Sequence, residues 1–332
     1  MAWSKVFDFS EPSDCQAVSR CERREFIPTG RGRFRAEITQ VGIGGLLVHQ
    51  LHFALAQVSI VAIKPGYRSI EFLTRPGSPF LHGGREVSPS DIVVIGSDAA
   101  HQRSGPALHY GTISLAIDVL VAAVQTMIDR ELSQEPQIVR PHFALAAQLL
   151  SLHKNIVLLA RNNPDVLEFP QVVRALESEL IHVVARCLAE GVRMESTTGS
   201  RRHDAIVVAF EDFLAANLHR PLYLVEVCAA LGVAERTLRA SCQEHLGMGP
   251  VRYLALRRMH LVRRILLASD PTKTTVTQVI TDHGFWELGR FSVAYKLLFG
   301  EPPTATLRRP AEQPKLRLNR PSSLAVAILP AV

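Results

Sequence analysis

The sequence has few cysteines, few aromatic residues and no long apolar run. Its five cysteines in 332 residues form no C-x-x-C pair, so they indicate neither a zinc site nor a disulfide framework. Apolar stretches such as 113–117 and 324–330 are too short to cross a bilayer. The opening residues, MAWSKVFDFSEPSD, lack the apolar core of a secretory signal. We therefore expect a protein of the reducing cytoplasm with no membrane span.

Basic residues are concentrated towards the C-terminal end of the chain. The formal net charge is +6, and residues 201–310 hold 15 Lys and Arg against 10 Asp and Glu. Residues 1–200, in contrast, carry one more acidic than basic residue. This asymmetry fits a polyanion-binding module attached to a neutral sensing or assembly module. It fits a merely solvated basic surface equally well, so charge alone leaves both interpretations open.

Residues 33–115 have the pattern of many short strands. Apolar and polar residues alternate in several runs, and Pro- and Gly-containing turns separate them at 64–66, 75–77, 82–84 and 88–90. This spacing favours a β-sandwich or small barrel. Residues 83–102 resemble half of a cupin: a strand, a tight turn, a second strand and then His101.

The periodicity becomes helical between residues 116 and 190. The segments 117–131, 141–160 and 169–190 place apolar residues at i, i+3, i+4 and i+7. Such stripes are usually core, and the alternative is a subunit interface. Residues 191–203, which include the aperiodic stretch GVRMESTTGS, are predicted as a linker. We thus predict an effector-sensing and dimerisation domain at 1–190, a DNA-binding domain at 204–309 and a loosely ordered, proline-containing tail at 310–332.

Two similar helical units occur within residues 204–309. In the first, Leu224, Val227 and Leu231 share one helix face, Gly232 supplies a turn, and a second helix carrying Leu238 follows. The second unit repeats this order, with Gly284-Phe285 as the turn. A long helix predicted at 251–268 connects the two units and carries several arginines. An apolar inner face with hydrogen-bond donors on the outer face is what a DNA recognition helix needs.

With these residues the segment resembles the AraC/XylS family of bacterial transcriptional regulators over roughly residues 204–308. The spacing is held without gaps through both units. The residues that carry the resemblance are Leu231-Gly232-Val233, Leu238, Leu246-Gly247, Pro250, Tyr253-Leu254, Arg258-Met259, Arg263, Leu266, Gly284-Phe285, Phe291-Ser292, Tyr295-Lys296, Phe299-Gly300 and Pro303.

The resemblance implies that the second helix of each unit enters the major groove, in successive segments on one face of double-stranded DNA. By position, the base-reading candidates are Arg236, Thr237, Arg239 and Gln243 in the first unit and Gly289, Arg290 and Val293 in the second. The candidates for contacts with the DNA backbone are Arg252, Arg257, Arg258, Arg263, Arg264 and Lys296. For any single arginine, a phosphate contact or a solvated charge is the alternative.

The departures from the family pattern concern mainly the two reading helices. Ala234 stands where a serine N-cap is usual, and Thr306-Leu307 replaces the usual terminal Tyr-Arg. The second reading face, with Leu288, Gly289 and Val293, is poor in hydrogen-bonding groups. We therefore expect sequence discrimination to depend mostly on the first unit and backbone positioning on the second.

The histidines of the N-terminal half raise the alternative of a cupin-type metal-dependent enzyme with an accessory DNA-binding domain. Residues 49 and 52 have the wrong spacing for a metal site, because an i, i+3 pair lies on opposite faces of a strand. Only the position of residue 101 matches. There is also no G-x-S-x-G elbow and no cysteine in an activating context. The five histidines concerned are His49, His52, His82, His101 and His109.

Taken together, the sequence predicts an α+β protein: a cupin-like β-sandwich or barrel with trailing helices, followed by an all-α tandem helix-turn-helix domain. We predict no enzyme activity, no metal and no cofactor. The resemblance implies a ligand-responsive activator that acts as a homodimer beside RNA polymerase and binds a small-molecule effector. The sequence names neither the effector nor the operator.

Overall fold

The computed structural model describes residues 2–18, 21–127, 137–194, 197–217, 222–309 and 315–317. Within these residues the N-terminal part is mainly antiparallel sheet and the C-terminal part is helical, so the predicted α+β fold class is confirmed. The strands are β1 Trp3–Phe9, β2 Cys21–Pro28, β3 Ala36–Ile43, β4 Leu46–Phe53, β5 Gln57–Ile63, β6 Tyr67–Leu73, β7 Phe80–His82, β8 Arg85–Glu86, β9 Ile92–Ile95, β10 Ala100–Ser104, β11 Leu108–Ala116, β12 Gln137–Arg140, β13 Val192–Met194 and β14 Lys315–Arg317.

The strands form two sheets that face each other. The larger has the order β13-β12-β9-β6-β11-β4-β3-β1-β14 and the smaller β2-β5-β10-β7-β8. Alternate residues from both sheets meet between them in an apolar core that includes Ile38, Phe53, Val61 and Tyr110. The strands begin at residue 3, well before the predicted start at 33. The sequence pattern missed β2 because it carries charged side chains on both of its faces.

The helices are α1 Ile117–Gln125, α2 Phe143–Asn162, α3 Pro170–Glu190, α4 Thr198–Ala216, α5 Leu224–Leu231, α6 Glu235–Leu246, α7 Pro250–Ala268, α8 Val276–Asp282, α9 Leu288–Phe299 and α10 Pro303–Leu307. Short 3-10 helices occupy Pro12–Val18 and Pro164–Glu168. Helices α1 to α3 cover the outer face of the larger sheet and share a core with it. Part of the helix predicted at 117–131 lies outside the described residues.

The helix α2 is the one described helix that is long and apolar enough to cross a membrane by length and composition. In the structure it buries Leu145, Leu149 and Ile156 in the core that it shares with α3 and the larger sheet. A core helix of a globular domain passes the same test of length and hydropathy. The packing accounts for the buried part of its apolar residues, whereas Phe143 and Leu158 stay exposed.

The segment predicted as a linker, residues 191–203, is largely structured. Residues 192–194 form β13, which pairs with β12, and α4 already begins at Thr198 with the Thr197 hydroxyl accepting a hydrogen bond from the Ser200 amide. Small polar residues at a helix start cap its free amides, which explains why this stretch lacks the apolar periodicity of a helix interior. Most of the predicted tail, 310–332, lies outside the described residues. Its residues 315–317 form β14, which pairs with β1.

Candidate nucleic-acid interface

The first helix-turn-helix unit consists of α5 and α6. The helix α5 ends at Gly232, whose φ of +64° is the left-handed conformation that glycine adopts without strain. Val227 of α5 and Leu238, Cys242 and Leu246 of α6 are buried in one core with α4. This core fixes the angle between the two helices, and it turns the opposite face of α6 to solvent.

The helix α6 begins without a side-chain cap. Its N-cap residue is Ala234, whereas Thr275 at the start of α8 accepts a hydrogen bond from the Gln278 amide at 3.3 Å. Replacing Ala234 with serine is expected to raise the free energy of unfolding by about 1 kcal/mol, because the hydroxyl would accept from a free amide of the first turn. Urea denaturation measures this change. Ala234→Val, which adds no hydroxyl acceptor and is as poor an N-cap as alanine, is the control, and a serine variant no more stable than it would contradict the prediction.

The outer face of α6 presents most of the predicted base readers. Arg236, Arg239 and Gln243 are exposed and Thr237 is half-buried. The Arg239 guanidinium is paired with the Glu235 carboxylate at 2.6 Å within the same helix. Arg236 makes no ion pair within the part of the chain that the structure describes, so its five donors are free to meet a base edge.

The second unit consists of α8 and α9, joined through Gly284 at φ +77°. Val279 and Ile280 of α8 pack against an aromatic column in α9, formed by Phe291, Tyr295 and Phe299. The helices α6 and α9 are both 12 residues long. Their buried residues correspond at an offset of 53, since Leu238, Cys242 and Leu246 match the three aromatic positions.

This offset aligns the outer faces of the two helices residue by residue. Gly289 corresponds to Arg236, Arg290 to Thr237 and Val293 to Ala240. All three of these α9 residues are exposed, and the Arg290 guanidinium is paired with the Glu287 carboxylate at 2.8 Å.

Two further apolar side chains, Trp286 in the turn before α9 and Leu297 on the helix, are 77% and 54% exposed and were not singled out from the sequence. Leu297 lies off the apolar stripe of α9 that recurs every 3.6 residues. An apolar residue at such a position is the sequence signal for an exposed apolar side chain.

The basic residues predicted to contact the DNA backbone differ in their exposure and in their partners. Arg252 and Arg264 of α7 and Lys296 of α9 are exposed. Arg258 is half-buried, with its guanidinium over the Phe285 ring.

Arg257 and Arg263 form ion pairs with the N-terminal domain and with the helical domain itself. Both guanidinium groups are therefore already neutralised inside the molecule, and a DNA contact of either residue stays a prediction.

Residues 227–309 match the family model described as a helix-turn-helix domain. The chain is 35% identical over 133 residues to the "Probable thc operon regulatory protein" of Rhodococcus erythropolis, covering 38% of this chain and 40% of that protein. It is 34% identical over 97 residues to the "XylDLEGF operon transcriptional activator 2" of Pseudomonas putida, covering 29% of this chain and 60% of that protein. The C-terminal domain is an AraC-type helix-turn-helix domain.

The chain therefore spans 40% and 60% of the lengths of these two relatives. Among solved structures, it is similar to the AraC-like transcriptional activator CuxR, with 16% identity and a TM-score of 0.37, over 70% of this chain and 81% of that protein.

The smaller sheet of the N-terminal domain packs directly against the AraC-type domain. Ile27 and Val58 of that sheet enter the core of the first unit, and β10 packs against α6. At the second unit, the Gly32 amide donates to the Leu298 carbonyl of α9 at 2.9 Å. The smaller sheet touches the first unit and the loop that follows β2 touches the second, in both cases close to the C-terminal end of the outer helix.

Arg263 of the connecting helix joins the two domains through a buried charge network. Its Nε and Nη2 donate to the two carboxylate oxygens of Glu11 at 2.9 and 2.6 Å, and its Nη1 lies 3.0 Å from a carboxylate oxygen of Glu301. Arg309 also contacts both carboxylates. Burial alone would lower the pKa of Arg263, but the Glu11 carboxylate raises it above its usual range. Thr306, at the position where the family has tyrosine, donates to Glu301 at 3.0 Å.

A second network lies one and a half turns earlier on the same helix. Arg257 contacts Glu25 of β2 at 2.9 Å and also pairs with Glu211 of α4. Glu211 is 1% exposed and accepts a further hydrogen bond from the Tyr253 hydroxyl. Because each carboxylate has a cationic or hydroxyl donor, the network can persist in a largely apolar interface.

Three histidines and one aspartate meet at the boundary between the domains. His82 and His101 come from β7 and β10, and the His245 Nδ1 of α6 lies 3.4 Å from the Asp204 carboxylate of α4. Burial lowers the pKa of His82 and His101 to about 4. Burial would raise the pKa of Asp204, but the hydrogen bond and charge of its histidine neighbours lower it. Among the described residues, no group of His, Cys, Asp and Glu has the geometry to hold a metal ion.

The other histidines weighed for a metal site lie elsewhere. The two ring nitrogens of His49 are 3.1 Å from Gln40 Nε2 and 3.0 Å from Thr112 Oγ1. His52 stacks on His109 with ring centroids 4.1 Å apart. The five residues therefore do not converge on one point, and the structure does not bring together the ligand set that a cupin-type metal site needs.

The buried histidines predict a loss of stability in acid. An unfolded chain keeps a histidine pKa near 6.5, so between pH 6.5 and about 4 the unfolded state binds more protons than the folded state. The stabilisation is complete above pH 6.5 and falls by about 1.4 kcal/mol per pH unit for each such histidine below it. His101→Gln, which does not titrate, is expected to reduce this slope. Urea denaturation at pH 7.5, 6, 5 and 4.5 measures it, and an unchanged slope would contradict the assignment.

Proposed function

We propose that the chain is a sequence-specific DNA-binding regulator of transcription whose two helix-turn-helix units occupy successive major-groove segments. The observation that carries this proposal is the pair of 12-residue helices, α6 and α9, which bury equivalent faces and leave equivalent outer faces exposed. The match of residues 227–309 to the helix-turn-helix family and the names of the curated relatives support it.

The proposal assigns separate roles to the exposed cations. On α6, Arg236 and Arg239 read base edges together with Thr237 and Gln243, while on α9 the readers are Gly289, Arg290 and Val293. The exposed groups of Arg252, Arg264 and Lys296 contact phosphates, and such contacts fix the register of the protein without reading sequence. Arg258, half-buried against the ring of Phe285, positions the second unit.

Replacing Arg264 with alanine tests the division between positioning and reading. It should weaken binding by a similar factor on every DNA sequence and reduce the slope of log K against log salt by about 0.9, the value for one lost phosphate contact. Titration at four salt concentrations measures this, with fluorescence of Trp286 as the signal in a Trp3→Phe background, since the chain has only these two tryptophans. A loss confined to particular sequences would contradict the assignment.

The N-terminal domain supplies the response to a small-molecule effector in this proposal. The smaller sheet and the loop after β2 give a direct path, because β10 packs on α6, Glu25 of β2 pairs with Arg257 of α7, and Gly32 of the loop bonds to α9. Thermal-shift screening of the full chain with small metabolites, followed by promoter binding with each hit, tests this role. A hit that raises the unfolding temperature and changes promoter affinity supports it, and an absence of any such compound contradicts it.

The remaining proposals concern assembly and location. Phe143, Leu158 and Phe169 on the outer helices are 79%, 43% and 59% exposed, which fits burial in a homodimer. Sedimentation of wild type and Leu158→Glu tests this, since a monomeric wild type would contradict it. Two named relatives are operon regulators or activators. By analogy we propose activation beside RNA polymerase in the cytoplasm, which transcription in vitro with purified polymerase tests.

A further inference from the structure

The outer face of α9 carries more apolar side chains than that of α6. Val293, equivalent to Ala240, is 63% exposed in the middle of this face, and Leu297 follows one turn later at 54%. The position equivalent to Arg236 is Gly289, which has no side chain at all. A recognition helix with this face has few groups that could form hydrogen bonds with base edges, so it needs another way to read sequence.

The presence of Gly289 has no explanation inside the protein. It is the second residue of α9, and its φ is not in the left-handed region. A Cβ added at this position would meet no atom within 4 Å. Glycine in a helix is less favourable than alanine because it loses more conformational freedom on folding. A residue with a Cβ would therefore make the helix more stable at this position. Glycine is the better residue only if a partner outside the chain occupies the space that the Cβ would take.

The chemistry of the major groove identifies such a partner. Among the base edges exposed there, only thymine offers an apolar group, its C5 methyl, and apolar side chains contact it. The face of α9 is flanked by the exposed cations Arg290 and Lys296, which suits a strongly anionic partner better than an apolar protein surface.

We propose that α9 reads thymine methyl groups through Val293, and that Gly289 lets the first turn of the helix lie close to the base edges. This inference rests on the proposed DNA-binding function and deepens it. It assigns the two units different codes. The first recognises guanine and adenine edges through Arg236 and Gln243, and the second recognises the methyl groups of an A·T-rich segment. The second unit thereby adds methyl contacts to the base-directed hydrogen bonds of Arg290.

Removing thymine methyl groups from the DNA tests the proposal without altering the protein. Sites are first selected from random duplex DNA with the full chain, and the half bound by α6 is identified as the half whose base preference changes in Arg236→Ala. Each thymine is then replaced by deoxyuridine. In the other half, each contacted methyl should account for a loss of about fourfold in affinity. In the half bound by α6, where the equivalent of Val293 is the smaller Ala240, the loss should be smaller.

A pair of matched glycine variants tests the close approach. Gly199 is the second residue of α4, as Gly289 is of α9, and a Cβ there would meet only the Thr197 hydroxyl, at 3.9 Å. Both Gly→Ala variants should raise the midpoint of thermal unfolding by about 1–2 °C. Gly289→Ala alone should weaken binding to the selected site, by about tenfold or more, while Gly199→Ala should bind as wild type does.

The possible outcomes distinguish a failure of this inference from a failure of the proposed DNA-binding function on which it rests. If selection enriches no sequence, the proposed function is wrong and the inference falls with it. If a site is enriched but deoxyuridine has no effect in the half bound by α9, the inference alone is wrong. If Gly289→Ala is more stable and binds DNA as tightly as wild type, the close approach is wrong. If Val293→Ala leaves DNA binding unchanged but lowers transcription with purified polymerase, the face binds protein instead and the inference is overturned.

Discussion

Replacing Arg263 with alanine is expected to lower the free energy of unfolding by about 3–5 kcal/mol, the largest effect predicted for any single substitution in this chain. The side chain is buried and contacts two carboxylates, those of Glu11 and Glu301, at distances of 2.6 to 3.0 Å. Without the guanidinium, two carboxylates remain in a region of low polarity with only Arg309 between them. Denaturation in urea, followed by far-UV circular dichroism, measures the loss.

A neighbouring arginine provides the matched control. Arg264 lies on the same helix but is exposed, so Arg264→Ala should change the free energy of unfolding by less than about 0.5 kcal/mol. Because Glu11 and Arg263 belong to different domains, the variant should also unfold in two separated transitions where wild type unfolds in one. A loss in Arg263→Ala no greater than that in Arg264→Ala would show that the network contributes nothing.

The second large effect is on DNA recognition. Replacing Arg236 with alanine should cost about 1–3 kcal/mol at one base pair of the site and relax the preference there. Arg236 is exposed on the outer face of α6 and has no carboxylate partner among the described residues, so it pays no cost for leaving an ion pair. Binding to a panel of sites, each with one base pair changed, measures the preference at every position.

Arg239 supplies an internal comparison for this prediction. Its guanidinium is held by Glu235, and both side chains are about half exposed. A pair in such a position contributes little to stability, so Arg239→Ala should also relax the preference at one base pair. We expect the two variants to affect different base pairs. An equal loss of affinity on all sites, as expected for Arg264→Ala, would show that neither arginine reads a base.

The helical half of the fold is the part that the sequence predicts best. The connecting helix, predicted at 251–268, is Pro250–Ala268, and both turns lie at the predicted glycines, Gly232 and Gly284. These features are local: a stripe of apolar residues with a period of 3.6 and a residue that tolerates positive φ determine them. The exposed positions of Arg236, Gln243 and Val293 follow from the same periodicity.

The partners of the buried arginines could not be predicted in this way. Periodicity places Arg257 and Arg263 off the apolar stripe of α7 but does not reveal what covers that side of the helix. Their partners Glu25 and Glu11 are 232 and 252 positions away in the sequence. The charged residues of β2 are also the reason why the sequence does not predict this strand. A charged face that is buried against another domain has the same sequence pattern as a face exposed to solvent.

The departures at the end of the domain gain a physical explanation from the same network. The Thr306 hydroxyl accepts a hydrogen bond from the Tyr295 hydroxyl at 3.0 Å and donates one to Glu301. A small hydroxyl fits there because Arg263 and Arg309 already occupy the surrounding space. The absence of a cap at Ala234, in contrast, has no compensating contact in the structure.

Hydroxyl-radical footprinting of the full chain on its selected DNA site tests the central claim most directly. Two units held by one connecting helix should protect two short stretches on the same face of the duplex, centred about 10 base pairs or roughly 34 Å apart for each subunit. Arg236→Ala should weaken the protection of one stretch more than that of the other. A single protected stretch for each subunit, or protection that does not depend on sequence, would contradict the assignment of two recognition helices.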